Sequence, residues 1–312
     1  MTGKLMEILH HRLEARKSVS FFEFCIERLI QFTGVSAIAL VIMIFFFLIR
    51  EGAPTFFTVP LSSLLATRWY PIEEYFGLAP LVLGSLLVTV GAAVVALPLG
   101  LTTAIFIAEI VPRWAREFLK PLVEVLAGIP SVVIGFMGML LIVPLVRQIL
   151  NIPTGLTAFT GVILLAWMTL PTVVSVVEDV LDAVPRTYRD AGLALGMTRW
   201  QTIWRIVLPA GRSGILTALM LGIGRAIGET MTVMMVTGNA ARIPRSPADF
   251  FMPVRTMTAT IAAEMGEVAQ GSSHYHVLFA VGLTLFIITF LVNVAAAMVV
   301  FRQVKRSERM LS

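Results

Sequence analysis

Long charge-free runs recur along this chain, and each needs surroundings in which its backbone is satisfied without water. Ile30 to Ile49 is 20 residues without a charge, and Tyr75 to Ala108 is 34. At a rise of about 1.5 Å per residue, 20 helical residues cross a hydrocarbon core of about 30 Å. Val125 to Val146, Leu156 to Val177 and Val277 to Phe301 are three more charge-free runs, and together with Ser213 to about Gly238, apolar but for Arg225 and Glu229, they complete a prediction of six membrane-spanning helices. Composition agrees: 57% of residues are hydrophobic and 14% charged, against about 25% charged in soluble domains. The expected fold class is an all-α, polytopic integral membrane protein.

The polar interruptions divide the chain. Residues 1–29 are polar and basic (Lys4, Arg12, Arg16, Lys17, Arg28), too long and charged for a usual cleaved signal peptide, so no cleavage is expected. Residues 30–75 hold the first span and a loop with Pro54, Pro60, Pro71, Glu73 and Glu74. Pro98 predicts a kink or break in span two. Span three carries Gly128, Pro130, Gly135, Gly138 and Pro144, and so is expected to pack centrally or line a pathway. Val254 to Val268 reads as an amphipathic surface helix, and His274 with His276 as a solvent-exposed loop pair. Residues 302–312 form a basic tail. Cys25 stands alone, and no Cys/His cluster has metal-ligand spacing, so neither a disulfide nor a metal or other cofactor is expected.

The net charge of +5 could suggest nucleic acid, but its distribution argues for membrane orientation instead. Lys and Arg number 5, 3, 5 and 4 in residues 1–29, 109–124, 178–212 and 302–312, which is 17. The opposite side holds 6, and Arg225 lies within a span. By the positive-inside rule both termini and residues 178–212 are cytoplasmic, in a multi-pass protein of the cytoplasmic (inner) membrane.

Pro185 to Pro209 is the most informative interruption. Pro185 suits a first helical position, Gly196 a stop, and Thr198 with Gln201 a capping box, so the stretch predicts a helix, a glycine turn and a second helix ending at Pro209. Tyr188, Ala191 and Leu195 share one side of the first helix, and the small Ala191 and Gly192 would let another protein's backbone approach. Asp190-Ala191-Gly192, three residues, Gly196, nine residues, Ile206, one residue, Leu208-Pro209 resembles the EAA loop of ABC-importer permeases. Asp190 for Glu and Gly192 for Ala depart from that pattern while keeping charge and smallness. The resemblance implies that these residues couple the chain to an ATPase. No G-x-x-x-x-G-K-[ST] loop occurs, so ATP hydrolysis is expected in a separate chain and this one is not an enzyme.

Span five contains Gly222-Ile223-Gly224-Arg225-Ala226-Ile227-Gly228-Glu229-Thr230. Arg225 and Glu229 are four apart, which on a continuous helix is one face, and Gly224 and Gly228 have the spacing of close helix packing. An ionised side chain at a helix centre costs about 2.5 to 3.5 kcal/mol on insertion scales, so both should face protein or water. They are either a structural ion pair or transport residues. A guanidinium suits bidentate recognition of a tetrahedral oxyanion.

RAIGETMTVMMVTGN, Arg225 to Asn239, resembles the signature of the C-type permease of phosphate ABC importers, the PstC type among binding-protein-dependent type-I importer permeases. FGLAPLVLGSLLVT from Phe76 and AGIPSVVIGF from Ala127 extend the likeness over most of residues 50–301. The resemblance implies a type-I (MetI-like) permease fold over 76–301 with an extra first helix. It further implies translocation of inorganic phosphate, a homologous A-type permease partner in a heterodimer, two cytoplasmic ATPase subunits and an external phosphate-binding protein, with no nucleic acid. It places Arg225, Glu229 and Thr230 on the substrate pathway. A permease for sulfate, molybdate or a phosphonate, or an ion-coupled secondary transporter, remains as an alternative.

Overall fold

The computed structural model describes the backbone of residues 2–311 and the side chains of residues 21–60, 62–298 and 300. Most basic side chains of the first 29 residues and all those of the tail from Arg302 lie outside the described residues. The chain divides into two compact units, Met1–Glu51 and Gly52–Ser312. The first unit is built on α1 (Thr2–Gly52), a continuous helix that contains the expected first span.

In the second unit, α2 (Thr55–Thr58) and α3 (Leu61–Leu64) are single turns. They precede a small hairpin in which β1 (Trp69–Tyr70) pairs antiparallel with β2 (Tyr75–Phe76). The stretch expected to be a plain loop is therefore ordered. α4 (Ala79–Ile105) follows and continues through Pro98 without interruption before a π-turn, Phe106–Ile110. Gly84, Val88, Ala92, Ala96, Gly100 and Ala104 are buried along it, one every fourth residue. That spacing puts them on one helix face.

Span three departs from expectation. α5 (Arg113–Ala127) is a separate helix, and the chain restarts at α6 (Ser131–Met137), which continues through a π-turn into α7 (Val143–Leu150). The apolar run from Val125 thus crosses a boundary. Gly128 caps α5, and Pro130 disfavours a helical conformation at Ile129, so the break follows from the two residues together. Residues 113–124, a basic interruption between spans two and three in the sequence, are helix. Arg116 and Lys120 turn to Glu178, while Trp114, Phe118, Leu122 and Val125 form an exposed apolar stripe.

α8 (Ala158–Ala183) is the most buried of the spans, and its Thr157 cap accepts from the Thr160 N–H. It lies against the small face of α4: a Cβ on Gly91 would stand 2.6 Å from Val162, and one on Gly100 2.7 Å from Val173. Small residues permit this approach, and in lipid such van der Waals contact replaces the hydrophobic effect as the cause of association. α9 (Arg186–Ala194), α10 (Arg199–Thr202) and α11 (Leu208–Ala210) make the hairpin, with a π-turn at Ile203–Val207.

α12 (Arg212–Gly228) stops ten residues before the predicted end of span five, and α13 (Met231–Val236) restarts after a two-residue break. α14 (Met257–Glu264) buries Met257, Thr258, Ala259 and Thr260. The surface helix expected over 254–268 is thus a short, inserted one. α15 (Ser273–Leu311) is the last. Among the described residues, five helical stretches are long and apolar enough to cross a membrane: Phe21–Thr58, Ala79–Ile110, Ser131–Leu150, Ala158–Ala183 and Ser273–Met298. The pair Arg199–Ala210 and Arg212–Gly228, bent by 74°, makes a sixth when counted as one broken span.

His274 is not a free loop residue. Its Nε2 lies 2.8 Å from Glu264, whose other oxygen accepts from Trp69 Nε1 at 3.1 Å and pairs with Arg255 at 2.8 Å. The β1–β2 hairpin, the segment at 255, α14 and the start of α15 thus meet at one carboxylate. Arg255 also sets the closest backbone approach to α4, because a Cβ on Gly84 would stand 2.2 Å from its carbonyl oxygen. Gly84→Ala should therefore cost about 1 to 3 kcal/mol of overpacking strain. Thermal unfolding in detergent should show a clear fall in Tm for Gly84→Ala and none for Gly266→Ala, where nothing lies within 4 Å. Equal values would mean that the segment at 255 yields freely.

Candidate translocation site and helical hairpin

The break between α12 and α13 decides what Arg225 and Glu229 can do. Glu229 is the cap residue, with φ −67° and ψ 129°, so the helical face that would have aligned the two ends before it. No ion pair joins them among the described residues. Glu229 instead turns its carboxylate onto the start of α13, where Oε1 accepts from the Thr232 N–H at 3.2 Å, and its carbonyl accepts from the Thr258 hydroxyl at 3.0 Å. A carboxylate there satisfies an orphan donor and opposes the positive end of the helix. Thr230, between the helices, donates to the Gly228 carbonyl at 3.2 Å.

Arg225 is exposed and finds other partners. One Nη donates to Thr172 Oγ1 on α8, and the other to the Ala127 carbonyl at 3.3 Å, the last residue of α5. That carbonyl has no acceptor role within its helix, and the negative end of the helix favours a cation. Gly224 and Gly228, predicted to pack closely, have nothing within 4 Å. Gly222 makes the close approach instead, 2.5 Å from Val173 for an added Cβ. Gly135 and Gly138 of span three serve packing as expected, facing α13 and Leu164.

The hairpin has the predicted plan. Thr198 Oγ1 accepts from the Gln201 N–H at 3.2 Å, and Gln201 Oε1 accepts from the Thr198 N–H at 2.9 Å. Gly196 has φ +80° with open space beside it, so backbone conformation and not crowding demands glycine. Pro185 caps the first helix from outside it, and the chain bends after Pro209 at Gly211. Asp190 and Ala191 are exposed beside Tyr188 and Leu195, and Pro209 is exposed with Leu208 half-buried. Gly192 differs from expectation: it is buried, and a Cβ there would stand 2.7 Å from Ile206 and 3.1 Å from Thr202. Its smallness closes the hairpin on itself.

Two residues passed over in the sequence fix this hairpin. Arg189 donates to the Val184 and Leu181 carbonyls at 2.6 and 2.8 Å, capping α8, and pairs with Glu109 at 2.6 Å. Glu109 is the first charge after the 34-residue apolar run, which was the available signal. Nearby, Glu178 is 2% exposed and held by Arg116, with Nε at 2.7 Å, and by Lys120 at 2.7 Å. Lys120 also reaches Asp179, and Arg116 reaches Asp182 at 3.1 Å. A buried carboxylate is tolerable only with such pairing.

A family profile described as the binding-protein-dependent transport system inner membrane component matches residues 96–305. The chain belongs to that family. It is a multi-pass inner-membrane permease subunit of an ABC importer, a transport component and not the ATP-hydrolysing one. A probable ABC transporter permease protein of Bacillus subtilis (strain 168) is 37% identical over 234 residues, covering 74% of this chain and 75% of its own. The phosphate transport system permease protein PstC of Mesorhizobium japonicum is 36% identical over 264 residues, covering 78% and 80%. Among solved structures, the inward-facing MetNI methionine ABC transporter matches with a TM-score of 0.55 at 18% identity, covering 70% of this chain and 93% of that one. A bacterial alginate ABC importer matches with a TM-score of 0.55 at 17%, covering 85% and 94%. These structures share the permease fold.

In this permease the Arg189 staple should hold the hairpin's first helix to the ends of α4 and α8. Arg189→Ala would leave Glu109 without its cation and the Val184 carbonyl without this donor, while the Leu181 carbonyl keeps the Val184 N–H, at about 1 to 3 kcal/mol. Trypsin in detergent should then cleave at Arg199 several-fold faster than in the parent protein, and an unchanged rate would show that the staple is dispensable.

Hydrogen bonds to Asp179 and then Glu178 push the Lys120 ammonium pKa up, against the opposing pull of burial. A raised folded pKa gives a contribution fully present below lysine's ordinary range of about 10.4 and lost only above it, as pH climbs through the folded value. The Tm difference between the parent and Lys120→Met should therefore stay constant from about pH 6 to 9. A difference that shrinks within that window would contradict the assigned shift.

Proposed function

We propose that this chain is the C-type permease subunit of a phosphate importer and carries inorganic phosphate inward by alternating access, driven by a separate ATPase. The observation that carries the reading is the likeness to the Mesorhizobium japonicum phosphate permease over more than three quarters of both chains. Arg225 supports it from the chemistry: an exposed guanidinium at a helix break, in a membrane-embedded chain, with donors left over after its two protein contacts. A planar fork of that kind matches two oxygens of a tetrahedral anion.

In this reading residues 76–301 are the transmembrane domain, preceded by the basic segment 1–29 and by the extra helix and external loop over 30–75, and followed by the tail 302–312. Both termini and the hairpin over 185–209 are cytoplasmic. Asp190, Ala191, Gly192, Gly196, Leu208 and Pro209 belong to the ATPase-coupling hairpin. Arg225, Glu229 and Thr230 belong to the substrate pathway. Glu229 acts there by holding the start of α13, since an ionised carboxylate cannot attract an anion. The partners are a homologous A-type permease, two cytoplasmic ATPase subunits and an external phosphate-binding protein.

The test is uptake of labelled phosphate into vesicles holding the complete transporter, with sulfate, molybdate and a phosphonate as competitors. Unlabelled phosphate should compete and the other three should not. Arg225→Lys keeps the charge but loses the fork, so uptake should fall at least tenfold with normal insertion. The double swap Arg225→Glu with Glu229→Arg should not restore it. Full activity of either variant would remove Arg225 from the pathway.

Orientation is tested with single cysteines at Ser62, Ser272 and Thr198 in a Cys25→Ser background. An impermeant thiol reagent on intact cells should label the first two only. Labelling at Thr198 would overturn the six-span topology and, with it, the ATPase-coupling role of the hairpin.

A further inference from the structure

Arg225 is the cation of the proposed pathway, yet the residue four positions on does not hold it. Its restraint comes from across the molecule. Thr172 Oγ1 on α8 accepts from one Nη, and the Ala127 carbonyl on α5 accepts from the other. Thr172 is half-buried and follows Pro171, on the side of α8 that faces α12. The neighbouring Thr169 spends its hydroxyl on the Leu165 carbonyl within its own helix, at 2.7 Å. Thr172 has no such bond among the described residues, so its hydroxyl is committed to the arginine.

We propose that Thr172 is a positioning residue for substrate, fixing the Arg225 guanidinium so that its free N–H groups face the pathway. The inference rests on the reading that Arg225 is the anion-binding cation. An arginine carries several rotatable bonds, and freezing one of them at binding costs affinity; a residue that freezes the side chain beforehand removes that cost. Thr172 and Ala127 belong to different helices, so both contacts survive only while α8 and α5 keep their distance from α12. α8 ends in the carbonyls that Arg189 grips, and α5 is tied to that end by Arg116 and Lys120. The position of Arg225 is thereby tied to the helices that carry the hairpin.

The experiment measures phosphate uptake by the reconstituted complete transporter for Thr172→Val, Thr172→Ala and Thr172→Ser, with Arg225→Lys alongside. Removing the hydroxyl should raise KM about fivefold with Vmax changed less than twofold, the loss expected when one long side chain must be ordered at binding. Serine restores the acceptor and should return KM to within twofold of the parent. A purely structural threonine would predict otherwise: lower Vmax or insertion with KM unchanged, and no rescue by serine. If valine and alanine keep the parental KM while Arg225→Lys loses transport, Thr172 has no positioning role and the pathway reading stands. If Arg225→Lys transports normally, the pathway reading itself fails. A KM that falls in Thr172→Val would also overturn the proposal, because Thr172 would then be competing with the anion.

Discussion

The contact between α4 and α8 is the constraint on which the other features depend. Glycine and alanine along α4, Gly91 and Gly100 at the closest points, remove the side-chain layer that normally separates two helices, so Val162 and Val173 of α8 fit against backbone. In a membrane this is the available cause of association, because lipid tails are as apolar as the side chains they would release. The two helices then deliver the polar groups at their ends to fixed places. α4 presents Glu109 in its terminal π-turn, and α8 presents the Leu181 and Val184 carbonyls. Arg189 reaches all three, and doing so sets the hairpin's direction.

Charges in the spans obey a common rule of placement. Glu178 is buried and held by two cations from α5, while Glu229 sits where α12 has already ended and a new helix offers N–H donors. Arg225 takes the complementary position at the C-terminal end of α5. Helix termini are the points inside an apolar chain where the backbone itself supplies a partner for charge. The breaks at Gly128–Pro130 and at Glu229–Thr230 therefore supply these contacts, since a continuous helix would leave both ions without them.

Much of this architecture was legible beforehand. The apolar runs gave the rough location of the spans, five of which stand as single stretches and the sixth as a bent pair, and the turn of the hairpin could be placed at Gly196 with its capping box at Thr198 and Gln201 because those signals act within four residues. The Arg225–Glu229 relation misled, because spacing of four implies a shared face only on an unbroken helix, and nothing in IGET forces the break. Gly224 and Gly228 misled similarly: a pattern of small residues marks where close packing is possible, and Gly222 is the one that has a neighbour. Arg189 looked like an ordinary surface charge until its three partners, 5, 8 and 80 residues away, were in view.

Sequence alone determined that the chain lives in a membrane as helices, where most of them lie, and which short segments carry recognisable caps and turns. These are local consequences of hydropathy and backbone chemistry, each decided within one helix or one turn. Tertiary structure decided which small residues meet another helix, where span five ends, and which groups hold Arg225, Glu178 and Glu264. Those outcomes depend on the distance between helices far apart in the chain, and in an apolar environment a charge settles wherever packing happens to leave a carbonyl, a hydroxyl or an opposite charge within reach.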